Sequence, residues 1–236
     1  MLTVDLNADL GEEVTDDDAL LAVVTSANVA CGYHAGTPDV MRRVCAAAGG
    51  VVVGAQVSYA DRANFGRVEL EVAASLLTEQ VADQVGTLET IARSEGTFVR
   101  YLKPHGALYH RVARDPVQAA AVLAGSGRLP VLGLPGSVLL ALAEHDGREV
   151  LLEGFADRAY RDPQRLEGGL VPRTEPGAVH DDDAVSCAQA VALAERVDSV
   201  CVHGDTPGAV GLAHAVRRAL EAAGYAVRPP AALGTP

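Results

Sequence analysis

Groups able to move protons or hold anions recur at the ends of short apolar runs. They are Asp5, Asn7 and Asp9; His34; Lys103 and His105; Glu153, Asp157 and Arg158; and His203 and Asp205. Imidazoles and carboxylates serve as general acids and bases, while lysine and arginine steady negative charge that develops during a reaction. The clearest instance is Lys103-Pro104-His105-Gly106, which follows the run Thr97-Phe98-Val99-Arg100-Tyr101. Pro104 and Gly106 stop a strand there and deliver a cation and an imidazole to its tip. For any one of these residues an internal ion-pair network is as good a reading as a role in chemistry. For the whole set, converging on one end, chemistry is the better reading.

The elements that must position them follow one rhythm. Apolar runs at Leu2–Leu6, Ala27–Gly32, Val51–Ala55, Thr97–Tyr101, Pro130–Leu134, Val150–Ala156 and Ser199–His203 read as strands. Asp5, Asn7 and Asp9 fall on one face of the first strand by its period of two, where burial is costly unless each is paired or bound. Helix signals separate the strands: Thr15 before Asp16, Asp17 and Asp18; Thr37-Pro38; a long stretch from Val72 to Ser94; Pro135-Gly136-Ser137; and Asp181 to Asp183. A last amphipathic helix runs to about Ala223, and a loose tail is expected from about residue 229. Strand–helix alternation predicts a parallel sheet. Polar residues crowd six of seven strand ends, which favours a closed barrel, where all strand tips meet on one face, over an open doubly wound sheet. No linker or repeat divides residues 1–236, so one domain is expected. The loop Asp61–Arg67 and the segment Tyr160–His180 are too long for simple turns. The second has no apolar period and is expected to be functional or disordered.

Composition removes several classes. A net charge of −12 argues against nucleic acid and anionic membranes, and 4% aromatic content without Trp offers few stacking platforms. Cys31, Cys45, Cys187 and Cys201 are scattered without a Cys-x-x-Cys pair, as in a reducing compartment. Neither a signal peptide nor a membrane-length apolar run is evident, so a cytoplasmic location is expected. No Walker phosphate loop and no Gly-x-Gly-x-x-Gly follows a strand.

Several longer motifs resemble the LamB/YcsF family: Asp5-Leu6-Asn7-Ala8-Asp9-Leu10-Gly11-Glu12, Ser26 through Gly36, Asp61-Arg62 with Phe65-Gly66-Arg67, and Lys103-Pro104-His105-Gly106. Phe155-Ala156-Asp157-Arg158, Leu170-Val171-Pro172-Arg173 and His203-Gly204-Asp205 match in the same order. The resemblance implies a single-domain, seven-stranded (β/α) TIM-like barrel, similar to glycosidase and deacetylase barrels. It also implies the A subunit of an ATP-hydrolysing 5-oxoprolinase, which opens the 5-oxoproline lactam to L-glutamate with B and C partner subunits. Those partners would account for the missing nucleotide motif, with ATP bound jointly. On this reading Asp9, His34, His105 and Asp157 are the catalytic candidates, with Asp9, His34 or His105 activating water. Asp5, Asn7, Lys103, Glu153, Arg158, His203 and Asp205 are the substrate-binding candidates, Lys103 and Arg158 holding the carboxylate or a phosphoryl group. Arg62, Arg67 and Arg173 are loop cations, either lids over the site or ordinary surface residues.

The chain departs from the family where Gly-Ala-His-Pro-Ser is usual after the third strand: it has Gly54-Ala55-Gln56-Val57-Ser58. An amide neither titrates nor ligates metals well, so although Asp and His at strand tips suit zinc or manganese, no required metal is expected. The alternatives are a stand-alone metal-dependent amidase or deacetylase, and a non-catalytic subunit that presents substrate to its partners.

Overall fold

A computed structural model describes residues 2–205 and 208–234. The seven runs are strands: β1 Leu2–Leu10, β2 Ser26–Ala30, β3 Val52–Val57, β4 Val99–Pro104, β5 Val131–Gly133, β6 Val150–Phe155 and β7 Ser199–Val202. They pair in parallel in the order β2-β3-β4-β5-β6-β7-β1, and β1 pairs back onto β2 from Asn7–Ser26 to Leu10–Val29, which closes the barrel. β1 runs four residues past the expected Leu6, so Asp9 lies within the strand. Helices follow the strands and cover the outside. The Thr37 side chain accepts from the Val40 amide at 3.2 Å and Pro38 occupies the first turn, as the N-cap pattern requires.

The inward positions of the strands divide by height. At the N-terminal end of the barrel Val52, Tyr101, Leu132 and Leu151 form an apolar floor together with Leu233. Gly54 belongs to this packing: a Cβ there would run into the Tyr101 ring, so the absence of a side chain makes room for a tyrosine inside a seven-stranded barrel. Above the floor the inward positions turn polar, toward the strands' C-terminal ends.

The chain end corrects the expected loose tail. Tyr225–Val227 forms an eighth strand, β8, parallel to β1 at Leu2–Val4, outside the closed ring of seven. Beyond Pro229 and Pro230 a 3-10 turn, Ala231–Leu233, puts Leu233 into the floor at 4% exposure. A single leucine among Pro, Ala and Gly has no periodicity to betray it, so burial there is decided by the open barrel end alone. Residues 235–236, and Thr206-Pro207 at the tip of β7, lie outside the described residues. Among the described residues no helix is long and apolar enough to cross a membrane, and all four cysteines are free.

Candidate active site

The first polar layer above the floor is closed on itself. Asp5 accepts from Thr25 Oγ1 at 2.6 Å, from Ser26 Oγ at 2.8 Å and from the Ser199 hydroxyl. Burial nevertheless lifts its carboxyl to about 6. Asn7 Nδ2 donates to Ser199 Oγ at 2.7 Å and its Oδ1 accepts from Asn28 Nδ2 at 2.7 Å, while Tyr101 donates to Asn28 Oδ1 at 2.6 Å. The period-two reading of Asp5, Asn7 and Asp9 therefore finds its partners inside the protein. Asp5 and Asn7, expected among the substrate-binding residues, do not reach the cavity described below. Their polar atoms are spent one layer beneath it.

The next layer is ionic. Lys103 Nζ lies 3.0 Å from Asp9 Oδ1 and 2.8 Å from Glu153 Oε1, 3.3 Å from Cys201 Sγ and 5.4 Å from the centre of the Phe155 ring. All three charged groups are buried. Burial alone would neutralise the lysine, but Asp9 and Glu153 outweigh it and hold the ammonium well above its ordinary range. Burial likewise raises Asp9, and the Lys103 charge, with His203, pulls it below the ordinary carboxylate value. Glu153 supports Lys103 from outside the cavity, so it too is removed from direct substrate contact.

At the rim the three histidines of the strand tips gather. His203, inward after Ser199 and Cys201, places Nδ1 2.9 and 3.0 Å from the two Asp157 oxygens. A carboxylate only accepts, so Nδ1 is the donor and Nε2 is left as an acceptor. Burial would raise Asp157, but His203 beside it lowers its carboxyl below the usual value. The Phe155 ring stacks on the imidazole at 5.1 Å. His34 and His105 stack on each other at 4.1 Å, and the Phe65 ring stands edge-on to both. Their Nε2 atoms lie 3.4 and 3.5 Å from Glu12 Oε1, which also accepts from Gln56 Nε2 at 3.2 Å. Burial lifts Glu12 to about 8, with Asp9 adding to it, and burial drops His34 to about 4 and His105 well below its ordinary range. Burial thus favours the uncharged form of all three groups.

Glu12 closes the polar run at the end of the first strand, a residue the sequence shows there without assigning it a role. It sits beyond the strand end, and Gly11, at φ 73°, folds it back over the barrel mouth. Its place in the run Asp5–Glu12 is legible, and its fold-back at Gly11 is not. With His34 and His105 it presents ligand atoms within 4.8 Å of one another, close enough for one small cation. Because the rings are stacked within 18° of parallel, their in-plane lone pairs run side by side, and ligation by both requires one imidazole to turn.

These groups surround a cavity of about 340 Å³ lined by Asp9, Lys103, His105 and His203 below and by Arg67, Arg158 and Arg173 above, with Tyr109 and Phe155 between. Its far wall is the long segment after β6, which is ordered: Tyr160 bridges Leu170, Arg158 bridges Val179, and the Tyr160 hydroxyl accepts from the Phe155 amide at 2.8 Å. Gln189 donates to three carbonyls of residues 155–158 and fixes the base of the wall. Arg158, expected to hold substrate, donates Nε to Ala178 O at 3.0 Å and Nη2 to Val171 O at 2.7 Å, so most of its reach is used in pinning this wall. Asp205, a further binding candidate, pairs with Arg67 and Arg173 instead of lining the cavity. Arg62 is turned away onto Glu13 and the carbonyls of Gly32 and Gly36. The loop carrying Arg67 is locked to the His105 strand end by Ala107 N donating to Gly66 O at 2.9 Å, an approach that a side chain on Gly106 would block.

A closed parallel barrel whose strand ends converge on one cavity of paired acids, imidazoles and cations has the architecture of a (β/α)-barrel enzyme. The LamB/YcsF family model matches residues 4–234, and the chain belongs to the LamB/YcsF family. The 5-oxoprolinase A subunit of Streptomyces griseus is 55% identical over 250 residues, spanning 95% of this chain and 98% of that one. The crystal structure of a lactam utilization protein from Thermus thermophilus is 34% identical, with a TM-score of 0.87 over 97% of this chain and 100% of the other. The catalytic domain of a peptidoglycan N-acetylglucosamine deacetylase from Eubacterium rectale shares the fold alone, at TM-score 0.55 and 11% identity over 97% of this chain and 88% of its own.

Proposed function

We propose that this chain is the lactam-opening A subunit of an ATP-dependent 5-oxoprolinase, working in the cytoplasm with B and C partner subunits. The observation that carries the reading is the pair of dyads on one cavity, Asp157–His203 and Asp9–Lys103, in a member of this family. The relatives' names, with their lactam and 5-oxoproline, supply the substrate class.

A five-membered lactam resists water because its nitrogen is a poor leaving group. Transfer of a phosphoryl group from ATP to the lactam oxygen, a step given to the assembly with its partners, turns the carbonyl carbon into an activated imidate. His203 Nε2, with Nδ1 anchored on Asp157, takes a proton from water as the oxygen adds to that carbon. As the C–N bond breaks, the imidazolium returns that proton to the ring nitrogen, which takes a second from the added hydroxyl as it becomes the acyl carbonyl. The carbon keeps its phosphoryl oxygen as an acyl phosphate, which a second water converts to the glutamate side-chain carboxylate and inorganic phosphate. Lys103 faces negative charge gathering on the carbon's oxygens, a site where a fixed ammonium in a dry cavity is most effective. This reading moves the base from Asp9, His34 or His105 to His203. Asp9 is held by Lys103 and Asn28, and the other two imidazoles face Glu12 and are poor bases when so deeply buried.

The Glu12–His34–His105 cluster supports one other reading, a metal-dependent amidase acting without ATP; those three residues would hold the ion, which would supply Lewis acidity. The deciding experiment measures glutamate formed from 5-oxoproline by this chain with and without the B and C subunits and ATP. Turnover that requires all of them is expected. Lactam opening by the chain alone, without ATP, overturns the reading.

A further inference from the structure

Four cations line the cavity, and their donors are unequally spent. Lys103 divides its hydrogens among Asp9, Glu153 and Cys201. Arg158 gives two of its nitrogens to backbone carbonyls of the wall. Arg67 and Arg173 are different. Arg67 bonds a single carboxylate, Asp205, and Arg173 approaches the other oxygen of that carboxylate at 3.6 Å, beyond hydrogen-bond reach. A guanidinium carries five N–H donors in a planar fork that matches a carboxylate. Among the described residues these two forks therefore share one acidic partner between them and keep donors for another. Arg158 lies nearby, and the cations lower one another's hold on charge: Arg158 is pulled to about 10 by burial and by Arg173, against the opposing pull of Asp157.

The backbone that carries each fork is tied down. Arg67 follows Gly66, whose carbonyl is bonded to Ala107, and its guanidinium lies 5.1 Å from the Phe65 ring that packs against His34 and His105. Arg173 stands on the wall that Tyr160, Leu170 and Arg158 secure. Two loops from distant parts of the sequence thus present their guanidiniums to the same cavity that His203 lines.

We propose that Arg67 and Arg173 form the subsite for the ring carboxylate of the lactam, with Asp205 as the positioning residue that holds the two forks together. The assignment rests on the lactam reading and takes the carboxylate away from Lys103 and Arg158. Lys103 then faces the reacting carbon with its charge alone, while the anionic end of the substrate is held by other residues of the same cavity. A lactam without the carboxylate has no use for this subsite.

The test compares 5-oxoproline with 2-pyrrolidinone, the same ring lacking the carboxylate, in the assembled enzyme with ATP, and titrates 5-oxoproline into the chain alone by calorimetry. Arg173→Ala and Arg67→Ala are expected to raise KM for 5-oxoproline about 10- to 100-fold, as loss of charge-assisted hydrogen bonds does. They should leave kcat and any 2-pyrrolidinone turnover within about threefold, while Arg62→Ala, on the surface, changes neither. Calorimetry should show the same loss of affinity in the two cavity variants. Equal losses for both lactams, or unchanged 5-oxoproline affinity in both variants, overturns the subsite. Where wild-type chain binds 5-oxoproline through these arginines but the assembly never opens it, the subsite stands and the lactamase reading falls.

Discussion

Two polar layers lie one above the other inside this barrel, drawn from the same inward strand positions, and they are built on opposite terms. In the lower layer Asp5, Asn7, Ser26, Asn28, Ser199 and the Tyr101 hydroxyl satisfy one another. In the upper one, among the described residues, buried atoms stand without hydrogen-bond partners: Nδ1 of His34 and of His105, Gln56 Oε1 and Ser58 Oγ. Buried polar groups are ordinarily bonded, and a group left alone costs stability. The lower layer is arranged for stability and for holding Asp9 in place. The upper layer accepts the cost where a substrate or a proton has to arrive.

The largest expected effect comes from breaking the seam between them. Lys103→Met leaves Asp9 and Glu153 buried without their cation, which costs about 3–5 kcal/mol of folding stability and removes the charge proposed to face the reacting carbon. Urea unfolding should show that loss, and turnover by the assembled enzyme should fall more than about a thousandfold, the combined effect of a lost electrostatic donor and a displaced Asp9. Wild-type stability in this variant would mean that the three charges are not one unit. Next comes His203→Asn, which keeps a donor toward Asp157 but loses the proposed base. Turnover is expected to drop about 10²- to 10⁴-fold with the melting temperature nearly unmoved. An equal loss of stability would make His203 a member of the lower, structural kind.

The two layers also differ in how far the residue types announce them. Asp5, Asn7 and Asp9 share a face by simple alternation, and His34, Lys103, His105 and His203 follow apolar runs, so the rim and its histidines are legible. So is the barrel, because strand–helix alternation with polar C-terminal tips has few other solutions. What alternation cannot give is height. Asp5 and Asp9 look alike in sequence, and only the position of the Tyr101–Leu233 floor decides which is sealed and which meets the cavity. Glu12 depends on a backbone reversal at Gly11, and the division of labour among Arg67, Arg158 and Arg173 depends on which carbonyls the long wall happens to offer. Leu233 is an isolated apolar residue whose partners lie more than eighty positions away.

Acidity offers a sharper division. Asp5 is raised to about 6 from 3.8 by burial, so the folded chain holds that proton more tightly than the unfolded one. Stability from this site is complete below about pH 4 and is lost as pH rises toward 6. The full loss is about 3 kcal/mol at 1.36 kcal/mol per unit. Asp9 and Asp157 are lowered and act with the opposite sign, gaining stability as pH rises through the acid range. Asp5→Asn removes only the first term. The difference in unfolding free energy between wild type and this variant, measured by urea at pH 4, 5, 6 and 7, should shift by about 3 kcal/mol in the variant's favour across the window and then stay level. A flat difference would place the Asp5 carboxylate among well-compensated charges.

The smallest effect tests whether the layers are independent at all. Tyr101 belongs to both the floor and the lower network: its ring packs over Gly54 and beside Leu233, and its hydroxyl donates to Asn28 Oδ1. Tyr101→Phe keeps the ring and strips the donor, leaving a buried amide oxygen unpaired, which costs about 1–3 kcal/mol. Thermal unfolding should fall by several degrees, on the order of 2–4 °C per kcal/mol for a chain of this size. Asn28 also donates to Asp9 at 2.9 Å, and Asp9 is bound to Lys103. If the amide keeps its place, turnover stays within about twofold, because the donors to Asp9 are untouched and the lower layer is only a foundation. If the freed amide rotates, Asp9 loses a donor, its hold on Lys103 changes, and turnover falls by more than the stability loss explains. That outcome would join the two layers into one device, with the tyrosine in the floor setting the charge that the cavity presents to its substrate.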